Sequence, residues 1–342
     1  FLQYIPWLER EGMECVVSPL FDDDYLVRRY QTGHAGRVDV LNAFARRMLA
    51  LFKVRSFDVV VVEKELLPYV PALPEWLLNR LGVPYIADYD DALFHQYDQH
   101  PNKLFRALMG NKIALVMRRS ALVTAGNPYL AEYARRAGAP RVEVVPTVID
   151  LDKYALLPKD NDPARVFTIG WIGSPSTSKY LRDIAPALAE VCAKGRARVV
   201  LVGSGEVDLP GVPVEIVPWS EATEVANIQR FDAGIMPLVD SPWERGKCGF
   251  KLIQYMACGL PVVGSPVGVN SEIVEHGVNG FLATDHADWV AALSGLRDDA
   301  ALRARLGQEG RVKVERQYCL QVTAPRMAEL MRFVVASPRG TD

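Results

Sequence analysis

The chain has 342 residues, a formal net charge of −2 and a hydrophobic fraction of 49%. That length suffices for two domains with cores of their own, and the near balance of charge excludes a global basic field that would draw the protein to nucleic acid. No apolar run approaches the roughly 20 residues that span a bilayer. Cys15, Cys192, Cys248, Cys258 and Cys319 are scattered with no CxxC pair, which argues for reduced thiols in a cytoplasmic protein and against a zinc site or a disulfide framework. The chain begins at Phe1, without Met, directly in a helix-like run. A segment ahead of it is therefore expected, and the absence of a targeting signal carries little weight.

In chain order, residues 1–12 read as a helix and 13–18 as a strand. Residues 38–54 are helical, and 57–62 (FDVVVV) form a buried strand ended by Glu63, Lys64 and Glu65. A helix over 74–81 leads to a strand over 84–87, which runs into Asp88-Tyr89-Asp90-Asp91. Then come a helix over 104–120, a strand over 122–125, a helix over 128–137 ended by Gly138, and a strand over 142–145. Residues 151–165 are polar, carry Pro158 and Pro163 and show no period, so they are expected to link a domain over 1–150 to one over 166–312. In the second half, strands are expected over 167–172, 199–202, 214–217, 233–237 and 260–263, and helices over 179–192 and 221–229. After 280–282 come helices near 287–296 and 300–307, and 313–336 closes the chain as one long helix. Strands alternating with helices are the pattern of a parallel sheet with helices on both faces. The expected fold is α/β, two doubly wound Rossmann-like domains facing each other across a cleft at the C-terminal edges of their strands.

The stretch 246–259, GKCGFKLIQYMACG, carries the most chemistry. A Gly-rich turn with Lys247 and Lys251 opens a short helix whose Phe250, Leu252, Ile253, Met256 and Ala257 face inward, and Gly259 suits the residue just past a helix end. Unpaired N–H groups at the positive end of a helix bind phosphate; the competing reading is a structural turn before a core helix. A second candidate is 170–179, GWIGSPSTSK. There Ser174, Ser176 and Thr177 either donate to an anion or simply cap the helix, and Lys179 brings charge. Its spacing is not that of a Walker loop. Two such helix starts in one domain point to a nucleoside diphosphate held between them. Gly203 ends a strand in VGSG, a weak signal alone, and Trp219 ends the next strand, either bordering a nucleobase or as a rim or core tryptophan. Asp88, Asp90 and Asp91 crowd one strand end, which demands a raised pKa, a cation or hydrogen-bond donors. Either Asp90 or Asp91 caps the next helix, or one of the three acts in catalysis, binding acceptor hydroxyls or supporting a developing positive charge on a sugar. His95, four residues after Asp91, could share that face.

The segment GFKLIQYMACGLPVVGSPVGVNSEIVEHGVNGFLA, preceded in order by GWIGSPSTSK and VLVGSG, strongly resembles the C-terminal domain of bacterial family 4 glycosyltransferases of GT-B fold. The N-terminal half is similar mainly in organisation, with Asp-Tyr-Asp-Asp as its one recognisable mark. The resemblance implies sugar transfer from a nucleotide donor with retained anomeric configuration, no required metal, no cofactor, and a closing helix that crosses back onto the N-terminal domain. It matches the family's glycine-lysine loop to residues 173–179, with Gly173 and Lys179 kept and Ser174 replacing an arginine. The family's two glutamates fall on Gly246 and Gln254. Gln254 still offers an amide oxygen to ribose hydroxyls, while Gly249, Phe250 and Lys251 are left to serve the donor sugar. The family's first strand and first Gly-rich loop are expected ahead of Phe1.

The function so implied is a metal-independent retaining hexosyltransferase using a UDP- or GDP-sugar. Lys179 and Lys251 stabilise the leaving diphosphate, whose oxygen acts as base for the acceptor hydroxyl. Asp88, Asp90, Asp91 and Glu65 stand on the acceptor side. Gly173, Ser174, Ser176, Thr177, Gly203, Trp219, Lys247, Gly249, Phe250 and Gln254 bind the donor. The expected acceptor is a glycan or lipid-linked molecule in cell-surface polysaccharide synthesis. Peripheral attachment of a cytoplasmic protein to the inner membrane face stays open. The alternative is a non-catalytic nucleotide-sugar-binding partner subunit, motivated by the two absent glutamates. The lack of GxGxxG argues against an oxidoreductase.

Overall fold

The computed structural model describes residues 1–22, 25, 36–158 and 165–337. They divide into two compact units, Phe1–Val145 with Ala324–Asp342, and Pro146–Thr323.

The first unit holds a parallel sheet of β1 (Val60–Glu63), β2 (Tyr85–Tyr89), β3 (Leu122–Ala125) and β4 (Val142–Val144), paired in that order. Its helices are α1 (Ile5–Arg10), α2 (Arg37–Leu51), α3 (Leu73–Arg80), α4 (His95–Asp98), α5 (Lys103–Met109), α6 (Lys112–Arg119) and α7 (Pro128–Arg136). The central strands are buried through Tyr85, Ile86, Ala87, Leu122, Val123 and Ala125, the near-continuous apolar run of a parallel sheet covered on both faces. α7 starts where its sequence says: Asn127 Oδ1 accepts from the Leu130 N–H at 2.9 Å, and Pro128 opens the helix. The helix expected over 104–120 breaks into α5 and α6 at Gly110-Asn111, two poor helix formers in succession. The run 13–18 pairs with no strand among the described residues, because edge strand β1 is bonded only to β2. A cavity of about 1120 Å³ is lined by both this run and β1.

The second unit holds a six-stranded parallel sheet: β5 (Phe167–Ile172), β6 (Ala197–Val202), β7 (Val214–Val217), β8 (Ala233–Met236), β9 (Val262–Gly264) and β10 (Gly280–Leu282), ordered β10-β9-β8-β5-β6-β7. Its helices are α8 (Ala185–Ala193), α9 (Glu224–Ile228), α10 (Pro242–Arg245), α11 (Phe250–Ala257), α12 (Asn270–Ile273), α13 (His286–Asp298) and α14 (Ala300–Gln317). Side chains alternate across a strand. Val199 and Leu201 accordingly join the core of Trp171, Leu188 and Leu293, while Val200 and Val202 join that of Phe231, Leu252 and Tyr255. The strand order reverses between β5 and β8, the switch point where open α/β sheets take ligands.

Several boundaries differ from expectation. Leu151–Lys153 is a 3-10 turn capped by Asp150, and Tyr154 is buried in the second unit's core, so the stretch expected as linker begins inside that unit; its residues 159–164 lie outside the described residues. The helix expected over 179–192 is one 3-10 turn, Ser178–Leu181, followed by α8, whose start is fixed by a proline in its first turn. At the C-terminus, α14 runs through the expected gap to Gln317, and α15 (Leu320–Ala336) follows a break at Tyr318-Cys319. Ile149 causes that break: its N–H donates to Tyr318 O at 3.1 Å and its carbonyl accepts from Leu320 N–H at 2.8 Å. From Ala324 onward α15 belongs to the first unit, where Arg326 pairs with Glu143 at 2.9 Å and Arg332 with Glu11 at 2.6 Å.

Candidate active site

In the second unit the C-terminal ends of β5, β6 and β7 converge. The chain leaves β5 at Gly173, whose N–H donates to Val202 O at 3.0 Å. A Cβ there would stand 2.7 Å from Lys251 Cε and 2.6 Å from Trp171 Cη2, so glycine is what lets the Lys251 stem pass over this turn. β6 ends at Gly203, where a Cβ would meet Gly173 O at 2.6 Å and Trp219 Cβ at 3.0 Å. Gly173, Gly203, Trp219 and Lys251 thus meet at one edge of one sheet. Gly249 starts α11 with φ 67° and no side-chain cap. The Leu252 N–H donates to Gly249 O at 2.9 Å, and the first turn carries the positive end of the helix dipole. Lys247 is half-buried just ahead of it and Phe250 exposed at its start.

Around Lys179 the local structure corrects the expectation. Ser174 and Ser176 share a hydrogen bond of 2.9 Å, and Thr177 Oγ1 donates to Ser174 O at 3.0 Å. These hydroxyls close the loop on itself, and none of them caps a long helix. Lys179 is exposed in the 3-10 turn that follows, its ammonium 5.0 Å from the Tyr180 ring centroid.

Where the family's glutamates are absent, other carboxylates stand close. Gln254 is buried, and its Nε2 donates to Glu224 Oε1 at 2.7 Å and to Tyr154 OH at 3.1 Å. Trp219 Nε1 donates to the other Glu224 oxygen at 2.7 Å. Glu244, two residues before Gly246, is also buried and accepts from the Tyr180 and Ser241 hydroxyls. Burial pushes the Glu244 carboxyl up, but those hydroxyls and the nearby Lys179 hold it below the ordinary range. Sequence reasoning missed Glu224, Tyr154 and Glu244. Only the acidic side chain two residues before Gly246 was a signal, and α10, which carries it, was not foreseen.

The first unit gathers the aspartates. Asp88 is half-buried at the end of β2 and accepts from Thr124 Oγ1 at 2.5 Å. Burial pushes its carboxyl up to about 6, against the Thr124 hydrogen bond. Lys64 pairs with Asp90 at 3.0 Å. Burial lowers the Lys64 ammonium, yet Asp90, with Asp91 and Glu63, holds it above its ordinary value. Lys64 sits at φ 68°, a left-handed conformation whose cost of order 1–3 kcal/mol in a non-glycine residue the surroundings must offset. The crowded acids are thus met by a raised pKa, a cation and a donor together. Neither Asp90 nor Asp91 caps α4, whose N-cap is Phe94 without a side-chain hydrogen bond.

Two other first-unit residues are committed elsewhere. His95 bonds Asp98 at 2.9 Å and Tyr129 at 2.8 Å. The Glu65 side chain is buried in an ion pair with Lys112 and accepts from Tyr97 OH at 2.8 Å through both oxygens.

Two Rossmann-like units, one with a basic, glycine-lined strand edge at its switch point, define a doubly wound α/β protein. Residues 166–299 match the family model described as glycosyl transferases group 1, and residues 9–147 the one described as glycosyl transferase 4-like domain. The chain belongs to the family 4 glycosyltransferases of GT-B fold. It is 31% identical over 117 residues to a D-inositol 3-phosphate glycosyltransferase of Pseudarthrobacter chlorophenolicus, covering 34% of this chain and 26% of that protein. It is 27% identical over 153 residues to the N-acetyl-alpha-D-glucosaminyl L-malate synthase of Bacillus anthracis, covering 41% and 38%. The chain therefore spans well under half the length of these two relatives. In structure it is similar to a sucrose-phosphate synthase from Thermosynechococcus elongatus, with TM-score 0.66 and 18% identity over 89% of this chain and 81% of that one. It is also similar to Anabaena HepE in complex with UDP-glucose, with TM-score 0.63 and 16% identity over 84% and 82%.

Proposed function

We propose that this chain transfers a sugar from a UDP- or GDP-sugar to a hydroxyl acceptor, retaining the anomeric configuration without a metal. The observation that supports it best is the meeting of Gly173, Gly203, Trp219 and Lys251 at one strand edge, beside the uncapped start of α11. The diphosphate lies against that helix start with Lys251 and Lys179, Trp219 borders the base, and the Gln254–Glu224 pair faces the ribose. As the sugar–oxygen bond breaks, negative charge grows on the leaving phosphate, and the lysines stabilise it. That oxygen takes the acceptor proton. Asp88, Asp90 and Asp91 serve the acceptor. The relatives' names give inositol phosphate and malate as acceptors. A small anionic polyol or hydroxy acid is thus a reading beside a glycan or lipid-linked acceptor of surface polysaccharide synthesis.

Calorimetric titration of Lys251→Ala and Lys179→Ala with matched di- and monophosphates tests the donor site. Each loss should be about 1.5–3 kcal/mol for UDP or GDP, the range for hydrogen bonds to charged groups, smaller for UMP or GMP, and reduced by salt. Equal weakening of both nucleotides would remove the phosphate assignment. Asp91→Asn should lower turnover far more than nucleotide affinity. The second reading, a non-catalytic nucleotide-sugar-binding partner, is favoured by Gly246 and Gln254 at the glutamate positions. Release of UDP or GDP from a donor sugar excludes it.

A further inference from the structure

β5 and β8 are neighbours in the second unit, and the strand order turns back between them. The loop after β5 carries Lys179, and the loop after β8 carries α10 and then Lys247. One side chain ties the two loops together. Glu244, in α10, accepts from the Tyr180 hydroxyl through one carboxylate oxygen and from the Ser241 hydroxyl through the other. Its main-chain carbonyl accepts from the Lys247 N–H at 3.1 Å. α10 is itself closely seated: a Cβ at Gly268 would stand 2.6 Å from Arg245 O, so that turn packs directly on the end of the helix.

The Lys179 turn is weakly held by its own backbone. It is a single 3-10 turn, Ser178–Leu181, and the Tyr180 N–H reaches Thr177 O only at 3.4 Å; such turns have poorer hydrogen-bond geometry than an α-helix. Tyr180 is buried and Lys179 exposed, with its ammonium 5.0 Å from the Tyr180 ring centroid. Fixing that ring therefore fixes the platform on which the ammonium rests. Glu244 is buried (5% exposed), and a buried carboxylate costs stability that a well-packed apolar group of similar volume does not. Burial opposes its charge, while the Ser241 and Tyr180 hydroxyls and the Lys179 cation favour it. A hydrogen bond to an ionised acceptor is about twice as strong as a neutral one. The charge thus acts on the tyrosine that carries the turn and on the cation beside it, which a residue kept for packing would not need.

We propose that Glu244 is a positioning residue, which through Tyr180 holds Lys179 on the diphosphate side of the site. The role rests on the nucleotide reading, to which it adds the group that aims one of the two lysines.

The test is calorimetric titration of UDP, GDP, UMP and GMP into the whole chain and its variants. Glu244→Ala and Tyr180→Phe should each weaken UDP or GDP about three- to tenfold, the range of one ordinary hydrogen bond, and the monophosphates less. Glu244→Gln, which keeps an acceptor for Tyr180, should restore most of the affinity that Glu244→Ala loses. In a Lys179→Ala background neither Glu244→Ala nor Tyr180→Phe should cost anything further, since both act through Lys179. A residue that only stabilises the fold would weaken di- and monophosphates alike and add its loss to that of Lys179→Ala; either result overturns the proposal. Thermal unfolding reports which variants fold, and Tyr180→Phe, which keeps the buried ring, carries the test if Glu244→Ala does not. A loss in Lys179→Ala with none in Glu244→Ala and Tyr180→Phe overturns the positioning role and leaves the nucleotide reading standing. A parent chain that binds neither UDP nor GDP overturns both.

Discussion

Asp88 carries two opposed demands. It ends a buried strand, yet the proposed acceptor role asks for charge there. A carboxyl that ionises at about 6 instead of at its ordinary 3.8 costs on the order of 3 kcal/mol of folding stability when ionised. The sign follows from proton counting. Between these two pH values the folded chain holds a proton that the unfolded chain has lost, so stability falls as pH rises through about 4 to 6 and the loss is complete above it. Asp88→Asn removes the ionisation and keeps an acceptor for Thr124. It should therefore be more stable than the parent at pH 7 by about 2–3 kcal/mol, with the difference fading toward pH 4. Urea titrations at the two pH values measure this, and a pH-independent difference would place the effect elsewhere. Gln254 offers a second residue-level test. Restoring the family's glutamate there would set a carboxylate within hydrogen-bond distance of Glu224, in a buried position. Gln254→Glu alone should cost about 1–3 kcal/mol, and adding Glu224→Gln should recover most of it. Strictly additive losses in that double-mutant cycle would show the two side chains to be uncoupled.

At the scale of elements, what the chain made legible was local. The apolar runs 122–125 and 167–172 and the Asn127-Pro128 helix start each contain their own cause, and each lies where its pattern places it. Elements decided by distant partners were hidden. Residues 13–18 have a strand's composition, but a strand exists only with a neighbour to bond. The break between α14 and α15 is made by Ile149, far away in sequence, and no local residue announces it. The candidate site divides the same way: Lys251 and Gly249 are visible in one short stretch, whereas Glu224 becomes relevant only because folding sets it against Gln254 and Trp219. The most local of these devices is the easiest to break. Gly249 has φ 67°, and a Cβ there would stand 2.2 Å from Ile273 Cδ1. Gly249→Ala should cost at least about 1–2 kcal/mol for the left-handed backbone alone, with the clash added. Because that turn aims the first N–H groups of α11, UDP affinity should fall with it. Unchanged affinity in the folded variant would detach the helix start from phosphate binding.

For the whole molecule, the chain path makes a thermal prediction. The polypeptide leaves the first unit at Val145 and returns to it at Ala324, so the first unit is incomplete without the last helix. From that helix Ala324, Met327, Ala328, Leu330, Met331 and Val334 are all buried. At about 1.5–3 kcal/mol for each large apolar side chain removed from water, their loss exceeds much of the stability of an ordinary domain. The residues assigned to the nucleotide lie in the other unit. Calorimetric scanning should therefore resolve two transitions that respond to different perturbations. UDP at about a hundred times its Kd adds about 2.7 kcal/mol to whatever binds it. That should raise the transition of the second unit by about 5–10 °C and leave the other in place. Truncation after Thr323 should abolish the transition that UDP does not move and preserve the one it does, because β5 to β10 and both of their cores remain. If UDP moved both transitions equally, or if truncation removed the UDP-responsive one, the assignment of the nucleotide to the second unit alone would fail, even with the fold intact.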